Sequence, residues 1–195
     1  GEVRSEGTLV EGALPRMTAR WDLAGTWRSH ETLATGNLDT ASGSWVVSGL
    51  ELVVGENRVA GEGTWGPELA GALTLSLPRP EQVLPGLGGE LEATLDLSGS
   101  PEEPVAELAA SGQSLVWQDQ LVIGNLTVAA SLSEGQVLEA SVDAGEIESA
   151  GQQLESLALN ATGTRQEHTL TIEAKHAKAL LSLGFDGGFG EDWQS

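Results

Sequence analysis

Hydrophobic and polar residues alternate along most of the chain with a period of two. Over residues 69–77, 91–98, 125–132, 157–161 and 170–174, every second residue is apolar or glycine, and the intervening residues are polar or alanine. Such a pattern places one face of a β-strand against an apolar phase and the other face in water. Clusters of Gly, Ser, Asn and Pro separate the alternating segments, at 98–104, 134–136, 145–152 and 186–190. The chain is therefore predicted to be all-β, with about 13 to 15 strands joined by short loops.

Two stretches are also compatible with a helix, Leu14 to Arg20 and Glu173 to Leu181. The second contains helix formers, including alanines and lysines. A strand, a turn at Lys175 to Lys178 and a second strand explain that segment equally well. We favour the two strands.

The predicted inward positions between residues 68 and 183 are almost all Leu, Val, Ala and Ile, with Trp117 as the exception. The whole chain has 2 Phe and no Tyr, whereas a packed β-sandwich usually fills its core with several aromatic residues. Many aliphatic strands with few large fillers predict a wide apolar face that the chain does not cover. The candidate groove-lining residues on this face are Leu73, Leu75, Leu91, Leu95, Leu97, Leu126, Val128, Leu157, Leu159, Leu170 and Ile172.

The charge balance excludes several classes of partner. The chain has 9 basic and 29 acidic residues, which gives a formal net charge of −20. This charge repels phosphate backbones and anionic membrane surfaces, so no nucleic-acid partner is expected. The chain has no Cys, hence no disulfide and no thiol chemistry.

Motifs that could support catalysis or ligand binding are weak. Residues 61–66 match the dinucleotide pattern G-x-G-x-x-G, but their surroundings are β and Pro67 follows, so turn glycines are the favoured interpretation. Residues 187–192 match the calcium pattern G-G-x-G-x-D in one copy only, which favours a glycine turn. The histidines His30, His168 and His176 lack zinc-site spacing. We therefore predict no catalytic residue, no metal, no cofactor and no enzymatic activity.

Four of the 6 Trp residues lie in the first third of the chain, at positions 21, 27, 45 and 65. Trp prefers the boundary between membrane and water, so these residues could mark a membrane-proximal or partner-binding end. The favoured alternative is that they plug one end of a trough or fill a small core.

The segment from Leu84 to Leu132 follows the skeleton G-x-L-x-A-x-L-x-L-x-G, then a proline, then A-x-L-x-x-x-G. Related Leu and Gly spacings continue from Gly151 to Leu170, and an acidic turn precedes Trp193. In this order the motifs resemble the repeats of the TamB family, which are inner-membrane-anchored periplasmic proteins of Gram-negative bacteria in the AsmA-like group. The resemblance covers residues 68–193, and earlier residues fit it only loosely.

The resemblance implies an elongated, many-stranded sheet curled into an open trough, or half-pipe, with an aliphatic interior. Residues 68–195 would form this TamB-like trough, residues 1–67 a Trp-containing β segment, and the whole chain a fragment of a longer protein. It also implies a periplasmic location, an inner-membrane anchor and an outer-membrane barrel partner of the TamA type.

Three hypotheses for function follow. In the first, the groove guides phospholipid acyl chains between the inner and outer membranes, since each buried CH₂ contributes about 0.8 kcal/mol. In the second, the chain is a scaffold that holds strands of outer-membrane proteins or autotransporters for assembly and secretion. In the third, it is an unrelated β-solenoid or adhesin module with a dry, closed core.

Overall fold

The computed structural model describes residues 1–8, 16–40, 43–164 and 166–188. This part of the chain contains thirteen β-strands, one short 3-10 turn at Pro80–Gln82 and no α-helix. The strands are β1 (Glu2–Thr8), β2 (Arg16–Trp27), β3 (His30–Asp39), β4 (Trp45–Val54), β5 (Asn57–Trp65), β6 (Leu69–Leu77), β7 (Leu87–Gly99), β8 (Pro104–Trp117), β9 (Leu121–Ser133), β10 (Val137–Ser149), β11 (Gln152–Gly163), β12 (His168–His176) and β13 (Ala179–Gly187).

The thirteen strands form one antiparallel sheet in which the spatial order equals the chain order. Within the described residues, each interior strand pairs with the strands before and after it, β1 and β13 are the two edges, and the sheet is open. The prediction of an all-β fold built from one long, unclosed sheet is therefore confirmed.

The sheet is a single layer within the described residues. Extensive contacts join only consecutive strands, apart from the 3-10 turn, which lies against β7. Only four apolar residues there count as buried core: Val54, Leu69, Leu115 and Ala144. A packed sandwich would bury far more, because its two inner faces cover each other.

Both segments with a helical alternative are strands where the structure describes them. β12 ends at His176, residues 177 and 178 turn, and β13 begins at Ala179, which confirms the two-strand interpretation. Residues 16–20 belong to β2 and pair with β1, so the helical alternative is wrong for them. Residues 14 and 15 lie outside the described residues, as do Trp193 and residues 189–192 of the calcium-like motif.

Two expected turns lie elsewhere than the sequence suggested. The cluster at 145–152 was expected to be a turn, but β10 continues to Ser149, and only Ala150 and Gly151 form the turn, both with positive φ. A two-residue turn of this kind matches the twist of its flanking strands. Gly61 and Gly63 lie inside β5 rather than in a turn. No helix follows them, which removes the context that a dinucleotide motif requires.

The turns alternate between two margins of the sheet, which differ in charge and length. The acidic margin comprises turn residues 43–44, 66–68, 100–103, 134–136, 164 and 166–167. Among the described residues of these turns, Glu68, Glu102, Glu103, Glu134 and Glu167 are acidic and none is Lys or Arg, while Arg165 lies outside the described residues. The loop margin comprises residues 28–29, 55–56, 78–86, 118–120, 150–151 and 177–178, with acidic and basic residues together.

The longest connection, residues 78–86, folds onto the β4–β5 turn at the loop margin. Asn57, 2% exposed, holds it there. Its side-chain amide donates to the carbonyl oxygens of Val54 (3.1 Å) and Arg79 (2.8 Å) and to Gln82 Oε1 (3.1 Å), and its Oδ1 accepts from the Arg79 amide (3.1 Å). Pro80 is buried in the same contact.

Replacing this amide should destabilise the loop margin. In Asn57→Ala the Arg79 amide loses its acceptor and the Val54 and Arg79 carbonyls lose a donor at a site that is 2% exposed, so we expect the free energy of unfolding to fall by about 2–3 kcal/mol. Asn37→Ala is the control, because Asn37 makes one exposed 3.4 Å bond to the Ser48 carbonyl, and its loss should cost less than about 0.5 kcal/mol. Urea denaturation followed by circular dichroism measures both. Equal losses would contradict a structural role for the Asn57 network.

Candidate functional site: an uncharged apolar face

The strand register brings the predicted groove residues onto one face of the sheet. In an antiparallel sheet, paired residues project from the same face, and so do residues two apart along a strand. Leu75 pairs with Ala93, Ala93 with Ala110 and Ala110 with Val128, so Leu75 and Val128 share a face although two strands separate them. The same tracing places all eleven candidates on this surface, which we call the apolar face.

One row of the apolar face crosses β2 to β13 without a polar residue. Each strand contributes one aliphatic side chain to it, and neighbours in the row are register partners. At about 4.8 Å per strand, the row is roughly 50 Å long. Its members are Leu23, Ala34, Leu52, Val59, Leu75, Ala93, Ala110, Val128, Val142, Leu159, Ile172 and Leu183.

Parallel rows widen this surface on either side. Leu73, Leu95 and Leu170 belong to a row that continues to Phe185 in β13. A further row, on the loop-margin side of the central row, passes through Leu91, Leu126 and Leu157. Leu97 belongs to the next row beyond Leu95 towards the acidic margin.

Fixed charges are confined to the opposite face and the turns. The register positions of the apolar face contain no Asp, Glu, Lys or Arg among the described residues. On the opposite face, Glu92, Asp143 and Glu173 lie in one register row. There Glu155 also bonds Lys175 at 2.8 Å, and this hydrogen bond and the negative charge of Glu155 raise the pKa of Lys175.

The apolar face is only partly shielded from water. Leu95 and Leu73, at its centre, are 36% and 37% exposed, and Leu183 is 40% exposed. Because the sheet has one layer, the shielding comes from neighbouring side chains on the same face. The face is therefore accessible to a ligand along most of its length.

Backbone irregularities lie side by side in the adjacent strands β7 to β11, and they keep the apolar face continuous. A strict period of two does not predict them. Along each of β8 to β11, two successive residues of the apolar face lie three positions apart instead of two. These pairs are Gly112 and Leu115, Ile123 and Leu126, Ala144 and Ile147, and Leu154 and Leu157. Residues with positive φ lie at these irregularities, at Gly89 (100°), Ser114 (49°) and Glu146 (54°). A Cβ on Gly112 would lie 2.6 Å from Leu115 Cδ1, so Leu115 returns to the apolar face after the irregularity.

Four of the five described tryptophans lie in β2, β4 and β5, towards the β1 end of the sheet, and the fifth lies in β8. Trp27 and Trp117 end their strands at the loop margin, 54% and 39% exposed. Trp45 and Trp65 are register partners at the acidic margin, and Trp65 is 60% exposed. Trp21 lies mid-strand over Gly36, where a Cβ would collide with its ring. The described tryptophans other than Trp21 therefore border the apolar face, two at each margin.

No group of three or more His, Asp or Glu side chains in the described part of the chain could hold a metal ion. His30, His168 and His176 lie in different parts of the sheet, on β3 and at the two ends of β12.

The accessibility of Leu95 leads to a testable contrast. Leu95→Arg should lower the free energy of unfolding by only about 1 kcal/mol, because the guanidinium can reach water along a partly exposed face. Leu115→Arg should cost about 4 kcal/mol, because Leu115 is 9% exposed and the new charge would be buried without a partner. The urea midpoints of unfolding of the two variants measure this difference in stability. An equally severe loss at Leu95 would mean that another layer covers the face.

The comparison with known protein families agrees with this architecture. The family model described as the N-terminal domain of TamB matches residues 1–195. No solved structure matches the chain. No described helix has the length and apolar character needed to cross a membrane. The unrelated solenoid or adhesin hypothesis is therefore wrong, and the chain belongs to the TamB family, whose N-terminal domain it represents.

Proposed function

We propose that this chain is a periplasmic segment of an inner-membrane-anchored protein, and that its apolar face guides phospholipid acyl chains between the inner and outer membranes. The observation that supports this proposal is the uninterrupted, uncharged and partly exposed aliphatic surface that crosses β2 to β13. Membership of the TamB family supports a role in a translocation and assembly module. An outer-membrane barrel of the TamA type is the proposed partner.

Backbone hydrogen bonding favours hydrocarbon over polypeptide on this face. The interior strands use their amides and carbonyls in ladders with both neighbours, so the face offers no row of free donors and acceptors to an extended peptide. A peptide strand lying there would leave its own polar groups unpaired in an apolar environment, at a cost of a few kcal/mol per group. An acyl chain has no such groups.

The alternative function, a scaffold for outer-membrane protein strands, is favoured by a different part of the sheet. All nine residues of the edge strand β13 are exposed, including Leu180 at 74% and Phe185 at 51%. An edge strand can accept a further strand by β-augmentation. The two functions therefore predict different contact sites, the apolar face for lipid and the sheet edge for protein.

Site-specific photo-crosslinking in living cells distinguishes these cargoes. Leu95 and Asp96 are adjacent in β7 but project from opposite faces, so they form a matched pair for a photo-reactive amino acid in the intact protein. We expect a phospholipid adduct at position 95 and none at 96. Mass spectrometry identifies the adduct.

Other outcomes contradict lipid guidance. A polypeptide adduct at position 95 would favour the scaffold, and the absence of any adduct there would exclude a ligand-bearing groove. In the same cells, Leu95→Arg should abolish lipid transfer without lowering the amount of folded protein. Unchanged transfer in Leu95→Arg would also oppose the proposal.

A further inference from the structure

The apolar face contains a recess that the groove residues alone do not explain. It lies at the acidic margin across β4 to β7 and has a volume of about 310 Å³, near the lower end of small-molecule pockets, which are about 300–1,000 Å³. Trp45 and Trp65 border it on the margin side. Its walls are Val47 and Leu50 on β4 and Leu73, Leu95 and Leu97 on β6 and β7.

The floor of the recess is made of glycine. Gly63 of β5 and Gly71 of β6 are direct register partners, so two adjacent strands lack side chains at the same point of the apolar face. Neither residue has the positive φ that would require glycine. Glycine in a strand interior is destabilising by roughly 0.5–1 kcal/mol relative to Ala. Because neither glycine has a side chain, the pair leaves the volume of the recess unfilled.

A side chain at either glycine would lie close to the backbone of the paired strand. A Cβ on Gly71 would lie 3.3 Å from the Glu62 carbonyl oxygen and 3.6 Å from the Gly63 Cα, and a Cβ on Gly63 would lie 3.1 Å from the Ala70 carbonyl oxygen. The closest contact at position 71 is 3.3 Å, so the paired strand must move by a few tenths of an ångström, and no positive φ adds strain there. A substitution at position 71 would therefore fill the recess rather than unfold the sheet.

The chemistry of the walls selects the occupant. Glu62 and Thr64 border the recess, but their register assigns their side chains to the opposite face, so the side chains that line the recess itself are aliphatic or indole. The rings of Trp45 and Trp65 suit a boundary where hydrocarbon meets water. The glutamates of the acidic margin disfavour an anionic head group beside this opening.

We propose that this glycine-floored recess is a discrete site for one aliphatic tail of a membrane lipid, admitted from the acidic margin past the paired rings of Trp45 and Trp65. The inference rests on the proposed function, since it assigns a specific tail-holding position within the lipid-guiding face. Gly63 and Gly71 would create the space, and the Trp pair would cover the tail where it leaves water.

The test places benzoylphenylalanine at Trp65, or separately at Leu170, in the full chain and adds lysophosphatidylethanolamine with a palmitoyl tail. This zwitterionic probe avoids a net negative head group at the acidic margin. After irradiation, mass spectrometry quantifies the lipid adduct as a function of probe concentration. We expect adducts at both positions.

The decisive variant is Gly71→Val, which fills the recess. The probe concentration for half-maximal labelling at position 65 should rise by about tenfold, while labelling at position 170 stays unchanged. Gly25→Val is the matched control, because Gly25 lies on the same face in β2 with nothing within 4 Å of its Cβ position, and it should change neither. Gly71→Ala, which adds a single methyl group, should give a smaller rise and serves if the valine variant does not fold.

The contrary outcomes separate the two proposals. Labelling at 170 without labelling at 65, or labelling at 65 that Gly71→Val leaves unchanged, would overturn the recess and leave lipid guidance intact. No labelling at either position would overturn the proposed function and the recess with it.

Discussion

The register of a single antiparallel ladder is the constraint on which the rest of the structure depends. Because side chains alternate with a period of two, a slip of one residue between any two strands would turn every apolar side chain of the remaining sheet to the other face. Two-residue turns oppose such slips, as at Arg28–Ser29, where both residues have positive φ and Trp27 pairs directly with His30. The continuous row from Leu23 to Leu183 exists only because no junction slips.

A one-layer sheet with an uncovered aliphatic face needs a second property to remain dispersed. The net charge of −20 supplies it, since the acids of the described residues lie on the opposite face and in the turns. Net charge of one sign opposes association between copies. The separation of charge from the apolar face therefore leaves a hydrocarbon surface free of charges, while the net charge opposes association of that surface with another copy.

The sequence predicted the parts of this fold that depend on short-range patterning. Alternation identified the strands and assigned Leu91, Leu95 and Leu97 to one face, as the register confirms. It failed where the backbone departs from a regular strand. The segment 145–149 is rich in turn formers but belongs to β10. Glu146 adopts a positive φ there, and Ala144 and Ile147 therefore share a face although they are three residues apart.

Features that depend on contacts between distant residues could not be predicted either. Asn57 is an ordinary polar residue in the sequence, and only the return of residues 78–86 buries it. The pairing of Gly63 with Gly71 likewise requires the register of β5 against β6. A period-two pattern identifies the face from which a residue projects but not its partner on the neighbouring strand. The pairing determines where side chains fill the face and where they leave a recess.

The two margins of the sheet impose a direction on any amphiphile that uses the apolar face near β4 to β7. At the loop margin, residues 78–86 cover the end of the face beside Val54, which is 7% exposed. At the acidic margin, Trp65 is 60% exposed and borders the recess. Under the proposed function, a tail in this region enters from the acidic margin and keeps its head group there, in water. In the proposed function, hydrophobic attraction provides the free energy of tail binding, and the asymmetry of the margins sets the side from which the tail enters.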